Sequence, residues 1–525
     1  MSDLFNAILY ILTPWPFFWV LLGVVSGVFV GAIPGLSGGM LIVLVMPLTF
    51  YMDSTFALIL MIGIYVGSVS GGLISATLLR MPGTPSSIMT TFDGYPMARN
   101  GNPARALGLG ISASLFGGLV AGFFLVVLSP PLSRWATTFG PWEYFSLVLM
   151  ALVLIASISH GSMIKGLLAG AIGILAAMPG LNESDGQLRL TFGFNQMDAG
   201  FELLPVLLGM FVMSQIIKES LEIERKGVTM SLGSGSAFLR LGDLRRHWVN
   251  ILRSSIIGTW IGILPGVGAS ISSMVAYGVA RSVSKTPEKF GKGSEEGIVA
   301  SESANNANVG GALIPLVTLG IPGSPMDAFL LGALILHNIQ PGPLLFQMNG
   351  AFVWAMIAAY LVSNILMYFL MASSVRLTAR VININRAYLL PVIFLFCVIG
   401  VFALSNRMFD VWVVIGFGVA GFLMERTGMP LGPFVIGFVL SRILEGELRS
   451  GLMWSGGSYL PLITRPIALA FTIVSIIVLI YPLFDKFWKF RRTRKLKIGP
   501  KAGEPESETE PLTRHRRKHD TYERK

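Results

Sequence analysis

The sequence predicts an all-α polytopic membrane protein made of two homologous halves whose helices are broken at matching positions. First, 53% of the 525 residues are apolar and 13% are charged, with a mean hydropathy of +0.69. Soluble domains carry about a quarter charged residues. Second, apolar runs approach the ~20 residues that cross a bilayer. Third, the same two Pro-Gly steps occur once in each half.

Apolar runs divide the chain into about eleven to thirteen transmembrane or re-entrant segments. Shorter runs, bounded by Gly, Pro or charge, are expected to be re-entrant or discontinuous helices, which a membrane tolerates only where protein or water satisfies the backbone. Residues 1–79 contain no Lys, Arg or His, so no cleavable signal is expected. The eight clear runs lie near 17–33, 54–79, 106–128, 144–159, 201–217, 351–373, 387–404 and 462–485.

Most of the net charge of +11 lies in a C-terminal tail. Residues 486–525 hold 14 Lys or Arg against 6 Asp or Glu, so the rest of the chain is nearly neutral. The basic stretch directly follows an apolar run, which predicts a cytoplasmic C-terminus by the positive-inside rule. Lipid headgroups account for such a stretch, and no nucleic acid is expected as a partner. The Pro and Ser content beyond it predicts disorder.

An internal repeat relates the two halves. Gly31-Ala-Ile-Pro34-Gly35 aligns with Gly262-Ile-Leu-Pro265-Gly266 at an offset of 231, and Met81–Pro85 aligns with Ile321–Pro325 at an offset of 240. An insertion in the charged loop 281–303 explains the difference of nine residues. The predicted organisation is a first half at 1–217, a polar connecting loop at 218–247, a second half at 248–485 and the tail at 486–525.

The repeated Pro-Gly steps predict a binding site. Proline removes a backbone donor and glycine permits positive φ, which leaves polar backbone groups that persist in a membrane where a cavity or ligand uses them. Matching breaks in two halves are the best sequence indication of a transporter site, usually in an inverted repeat. The alternative is that the neighbouring glycine ladders, glycines spaced four residues apart, only allow helices to pack closely. These ladders are Gly23, Gly27 and Gly31 in the first half and Gly258, Gly262 and Gly266 in the second. The candidate substrate-binding residues are Pro34, Gly35, Pro82, Gly83, Thr84, Ser86, Pro265, Gly266, Pro322, Gly323 and Ser324.

The second break of each half has the pattern of a helix start. In Thr84-Pro85 and Ser324-Pro325, a capping hydroxyl precedes proline at the first helical position, and Asp327 completes a capping box. The free N–H groups at such a helix start can hold a carboxylate. The alternative is a capped helix without a ligand.

Polar residues interrupt the apolar sequence around Glu302, Asn305 and Asn306. Amide and carboxylate oxygens suit Na⁺ or a proton-coupled site, so these three are the candidate coupling-ion ligands; helix–helix hydrogen bonding is the alternative. No cofactor other than Na⁺ or H⁺ is expected, and no further metal. The chain lacks Walker A, HExxH, GxSxG and CxxC motifs, so it is not expected to be an enzyme or to hydrolyse ATP.

The sequence resembles the large membrane subunit of the tripartite tricarboxylate transporters, the TctA family, over about residues 20–470. The resemblance implies a bacterial inner-membrane secondary transporter that works with a small TctB-like membrane subunit and a periplasmic TctC-like binding protein. It also implies uptake of citrate or related carboxylates driven by an ion gradient. The matching stretches are Gly31-Ala-Ile-Pro-Gly-Leu36, Pro82-Gly-Thr-Pro-Ser-Ser87, Asp93-Gly-Tyr-Pro-Met97, Arg189-Leu-Thr-Phe-Gly193, Glu302-Ser-Ala-Asn-Asn-Ala307, Gly311-Ala-Leu-Ile-Pro315, Gly320-Ile-Pro-Gly-Ser324 and Gln340-Pro-Gly-Pro-Leu-Leu-Phe346.

Three alternatives stay open at this point. The first is a transporter of the same fold for another small anionic or aromatic acid. The second is a polytopic membrane enzyme, for which Glu302 and Asp327 are the candidate carboxylate pair. The third is a passive channel, which saturable accumulation against a gradient would exclude.

Overall fold

The structure is a computed structural model that describes residues 2–158, 162–182, 186–221, 237–238, 241–381 and 386–480. The tail at 486–525 and much of the connecting loop lie outside these residues. The elements below belong to one compact unit, Met1–Val478, except for the last residues of the final helix. A second unit, Leu479–Lys525, is described only at its first two residues.

Helices make up almost all of the first half. Proline stands in the first turn of α2 and α6, where its missing N–H breaks no helical bond. A short antiparallel hairpin, β1 (Gly180–Leu181) with β2 (Leu188–Arg189), follows α8. The helices are α1 (Ser2–Ile11), α2 (Pro14–Ala32), α3 (Gly38–Thr49), α4 (Ser54–Leu79), α5 (Thr90–Arg99), α6 (Pro103–Ala136), α7 (Pro141–Ile158), α8 (Met163–Ala177), α9 (Leu203–Leu207) and α10 (Ser214–Leu221), with a π-helical turn at Leu208–Met213 joining the last two.

The second half is also helical in the residues that the structure describes. Its connecting segment between α12 and α13 is longer than the one between α3 and α4, where the sequence predicts the insertion. Around the predicted loop 218–247, α10 continues to Leu221 and α11 begins at Leu241. The helices are α11 (Leu241–Ile263), α12 (Gly268–Val283), α13 (Glu295–Leu319), α14 (Pro325–Leu336), α15 (Leu345–Met348), α16 (Gly350–Val381), α17 (Arg386–Ser405), α18 (Met408–Arg426), α19 (Leu431–Trp454), α20 (Pro461–Thr464) and α21 (Pro466–Ile480).

Six helices in the described part of the chain are long and apolar enough to cross a membrane. Several shorter apolar helices accompany them, among them α3 and α14, which adjoin the breaks. This composition confirms the predicted all-α polytopic membrane fold. The six are Pro14–Ala32, Ser54–Leu79, Pro103–Ala136, Leu203–Leu221, Gly350–Val375 and Met408–Arg426.

The two halves pack their first helices through equivalent glycines. In the first half a methyl group on Gly31 would lie 2.1 Å from the Ser68 carbonyl oxygen, so the backbones of α2 and α4 touch. In the second half a methyl group on Gly262 would lie 2.6 Å from the carbonyl oxygen of Asn308. Offsets of 231 and 240 relate these two pairs. The glycines therefore allow the helix backbones to come into contact, and they do so at equivalent positions in both halves.

The equivalent helices α4 and α13 run antiparallel. In the middle of α4, Tyr65 hydrogen-bonds Ser324, which follows the end of α13. Further along α4, Ser70 hydrogen-bonds Asn306 in the middle of α13. As the residue number increases along α4, the residue number of the bonded partner in the second half decreases. This is the order of contacts expected of the inverted repeat that the sequence predicts.

The two breaks of each half lie against each other. A methyl group on Gly83 would lie 2.2 Å from the Gly31 carbonyl oxygen, and one on Gly323 would lie 3.0 Å from the Gly262 carbonyl oxygen. In the second half the Gly266 N–H also donates to the Gly323 carbonyl oxygen at 2.8 Å. The two halves also contact each other: α3 packs on α14, and α12 packs on the turn that precedes α5. All four breaks therefore belong to one region of the core.

We expect Gly31→Ala and Gly262→Ala to destabilise the protein by ~1–3 kcal/mol each, because the added methyl groups force apart backbones that cannot repack locally. Thermal unfolding of the detergent-purified protein measures the effect. Gly278→Ala in α12 is the matched control, since no atom lies within 4 Å of its would-be methyl group. A melting temperature for Gly31→Ala equal to that of the control would contradict the packing role.

Candidate functional site

The second break of the second half is a capped helix start with a buried carboxylate. The Ser324 hydroxyl accepts the Asp327 backbone N–H at 3.3 Å and donates to Asp327 Oδ2 at 2.6 Å. The Tyr65 hydroxyl of α4 lies 3.1 Å from Ser324 Oγ and donates to Asp327 Oδ2 at 3.5 Å. Asp327 is fully buried, and its Oδ1 has no hydrogen-bond partner among the described residues. The predicted cap at Ser324 is confirmed.

The matching position in the first half is organised differently. Thr84 stands at the predicted N-cap position with Pro85 first in the helical turn, but that turn is only a three-residue 3-10 helix, Pro85–Ser87, and α5 begins at Thr90, so the predicted half-helix is absent. The Thr84 hydroxyl pairs with Ser86 Oγ at 2.9 Å, and the Thr84 backbone N–H donates to Ser87 Oγ at 3.4 Å. The structural reason is that the Ser87 hydroxyl folds back onto the Thr84 carbonyl oxygen and closes the turn locally. This end therefore presents buried hydroxyl groups.

Asn306 ties three helices together. Its Oδ1 accepts the Ser70 hydroxyl of α4 at 2.6 Å, and its Nδ2 donates to the Glu302 carbonyl oxygen at 3.3 Å. Its own carbonyl oxygen accepts Tyr360 of α16 at 3.4 Å. Both side-chain functions of Asn306 are thus used in packing.

Glu302 is fully buried between α5 and α6. Thr90 donates a short hydrogen bond to one carboxylate oxygen, and Ser114 donates to the other at 3.2 Å. Asp327 has other partners, so the carboxylate pair considered for an enzyme is not assembled around a shared group. The Glu302 side chain bonds to α5 and α6, whereas Asn306 bonds to α4 and α16. The two residues therefore do not share a ligand-binding arrangement through common partners.

Asn305 is the unusual member of this polar run. It is fully buried, and neither its Oδ1 nor its Nδ2 reaches hydrogen-bond geometry with any described group, although the amide lies near the Glu302 carboxylate. Asn308 is half-satisfied: its Nδ2 donates to Ser272 of α12 at 2.7 Å, and its Oδ1 has no partner in the described residues. A buried amide without hydrogen bonds costs ~1–3 kcal/mol, so it calls for a functional explanation.

The first break of each half is a hairpin tip with a left-handed glycine. Gly35 has φ +91° and packs against the Glu219 side chain, and Gly266 has φ +79° and packs against Ile155. The prolines at 34 and 265 precede these glycines, and those at 82 and 322 precede Gly83 and Gly323. The structure therefore gathers the break residues predicted from the sequence into one core region, with the hydroxyl groups of Thr84 and Ser324 belonging to opposite halves.

Sequence reasoning missed Tyr65 and Ser70. Both stand in the continuous apolar run of α4, which is buried from Ala57 to Leu78. The repeat offset supplies the signal that could have found Tyr65, because position 65 corresponds to Asn305 at an offset of 240. Ser70 has no such signal, since its equivalent is Gly310.

Comparison with known proteins gives a family match over most of the chain. The description "Tripartite tricarboxylate transporter TctA family" matches residues 17–436. The chain belongs to the TctA family. It is therefore a multi-pass membrane subunit of a tripartite tricarboxylate transporter, as the motifs quoted above indicate.

Two relatives of this TctA-family chain come from Agrobacterium vitis. An "Uncharacterized 52.8 kDa protein in TAR-I ttuC' 3'region" is 35% identical over 90% of this chain and 94% of the relative. An "Uncharacterized protein in TAR-II ttuC' 3'region" is 37% identical over 43% of this chain and 94% of the relative. No solved structure gives a significant match.

Asp93, in the Asp93–Met97 motif that resembles the TctA family, fixes the segment before α13. Its Oδ1 accepts the backbone N–H groups of Gly291, Gly293 and Ser294 at 2.7–2.9 Å, and its Oδ2 accepts the Tyr277 hydroxyl at 2.8 Å. The side chain is fully buried. One residue of the first half thus positions the start of the helix that carries Asn305.

We expect Asp93→Ala to lower the free energy of unfolding by ~2–4 kcal/mol, because several donors lose their acceptor and some of them stay buried. Asp93→Asn keeps one carbonyl oxygen for the three N–H groups and should cost less. Tyr277→Phe removes one donor and should be the mildest. Thermal unfolding in detergent ranks the three variants, and equal melting temperatures for Asp93→Ala and Tyr277→Phe would contradict the anchoring role.

Proposed function

We propose that this subunit moves small organic carboxylates, tricarboxylates or related acids, across the bacterial inner membrane in symport with Na⁺ or H⁺. The observation that carries the proposal is the buried Asn305 amide without hydrogen bonds, on the helix between the paired breaks of an inverted repeat. In this proposal a periplasmic binding protein delivers the substrate, and a small membrane subunit completes the transporter.

The repeat supports a substrate site on the Thr84 side. Tyr65 reaches across from α4 to Ser324, and Asn305 holds the equivalent position on α13, which packs against the Pro85–Ser87 turn. By this symmetry, the proposal assigns Asn305 to the same site as the hydroxyls of Thr84 and Ser86. An amide NH₂ and two hydroxyls are neutral donors suited to a carboxylate. The freed backbone groups of the four breaks supply the remaining donors.

The inverted repeat supports alternating access. Because α4 and α13 are equivalent and antiparallel, the two arrangements of the breaks, one exposed to each side of the membrane, can be nearly equal in energy. Rocking one half against the other would then expose the same site to either side. The basic stretch of the tail favours a cytoplasmic C-terminus.

Asn305 and its neighbour Asn306 can be compared directly, because the Asn305 amide has no hydrogen bond among the described residues and the Asn306 amide has two. We expect Asn305→Leu to leave the melting temperature unchanged or higher, and to lower the apparent affinity for the carboxylate by about tenfold or more. Asn306→Leu should lower the melting temperature, since the Ser70 hydroxyl loses its acceptor. Uptake kinetics and thermal unfolding of both variants provide the measurement; Asn305→Leu with wild-type uptake would contradict the site.

The transport claim itself is tested in proteoliposomes that contain the full chain with its two partner subunits. Labelled citrate and a panel of di- and tricarboxylates are offered with an inward Na⁺ gradient, an inward H⁺ gradient or neither. We expect saturable accumulation of unmodified substrate that depends on one gradient. Gradient-independent equilibration would indicate a channel, and chemically altered substrate would indicate an enzyme; either result contradicts symport.

A further inference from the structure

The inverted repeat places chemically different groups at its two equivalent ends. The offset of 240 relates Thr84 to Ser324, and it relates Ser87 to Asp327. At these paired positions the end at Thr84 therefore has hydroxyls, while the end at Ser324 has a hydroxyl and a carboxylate. An anionic substrate is repelled by a carboxylate, whereas a cation is attracted by one, so the two ends cannot serve the same ligand equally.

The carboxylate end has the composition of a cation site. Asp327 Oδ2, Ser324 Oγ and the Tyr65 hydroxyl lie within 3.5 Å of one another, and all three residues are buried. Oxygen ligands of this type bind hard cations, and a buried carboxylate in a membrane protein indicates an ion or proton pathway. The other oxygen, Oδ1, has no partner in the described part of the chain.

Glu302, by contrast, has a hydrogen-bond donor on each of its carboxylate oxygens. Hydroxyl groups from two helices occupy both of its oxygens, so it is held as an ordinary buried hydrogen-bonded group. The helices around α14 contribute few other titratable groups: Tyr65 faces Asp327 from α4, and Glu202 and Arg442 line a cavity of about 270 Å³ beside Gly332 in the C-terminal part of α14. On its own helix, Asp327 is the acidic residue of the first turn.

We infer that Asp327, together with Ser324 and Tyr65, binds the coupling cation, Na⁺ or H⁺. This inference rests on the proposed function and assigns the cation to a residue outside the Glu302, Asn305 and Asn306 set expected from the sequence. It also moves Ser324 from substrate binding to cation binding. Tyr65 lies on α4 and Ser324 on the opposite half, so the bound cation links the two halves of the inverted repeat.

The test uses proteoliposomes with all three subunits and the carboxylate that the wild type accumulates best. We expect Asp327→Asn to lose gradient-driven accumulation by about tenfold or more, and Asp327→Glu to retain accumulation with a shifted cation concentration for half-maximal uptake. ²²Na⁺ uptake and an internal pH dye distinguish Na⁺ from H⁺. Asp53→Asn is the matched control, because it caps α4 by accepting the Thr55 N–H and Asn caps equally well.

Three outcomes would overturn the inference. One is accumulation by Asp327→Asn equal to that of Asp53→Asn. Another is residual uptake in both Asp327 variants with the wild-type cation dependence, which would place Asp327 in substrate recognition or folding. The third is loss of coupled cation flux in Glu302→Gln while Asp327→Asn keeps it. If the wild type accumulates no carboxylate under any gradient, the proposed function fails before the variants are compared.

Discussion

Direct backbone contact between paired helices is the constraint on which the rest of the structure depends. At Gly27 and Gly31 of α2, and at Gly258 and Gly262 of α11, a single methyl group would collide with a carbonyl oxygen of the partner helix. Apolar burial provides little drive for helix association inside lipid, so close packing must supply it. Because both halves use the same contact, their breaks come to lie in one core region.

The buried polar groups around the breaks divide into those that hold the fold and those left for a ligand. Asn306, Glu302 and Asp93 have their side chains bonded to neighbouring elements. Asn305, one oxygen of Asp327 and the side-chain oxygen of Asn308 are among those without partners in the described residues. Because an unmade hydrogen bond is expensive in a low-dielectric interior, the proposed substrate and cation sites are built on Asn305 and Asp327.

The sequence predicted much of the site's location and less of its chemistry. Pro34-Gly35, Gly83, Pro265-Gly266 and Gly323 were recognised from the repeat, and the structure packs them together. The cap at Ser324 was also predictable, since it depends only on residues three positions apart. The half-helix at Thr84 was wrong because local hydrogen bonds of Ser87 closed a short turn that the helix-start pattern does not distinguish.

By itself the sequence determined the all-α membrane class, the two halves and the positions of their breaks, because composition and periodic repeats are properties of the chain. Only the tertiary structure decided which polar side chains are satisfied. Asn305 and Asn306 are adjacent and chemically identical, yet a rotation of 100° along the helix turns one towards Ser70 and leaves the other without a partner. Hydrogen bonding between residues more than 200 positions apart depends on helix orientation, which no local pattern encodes.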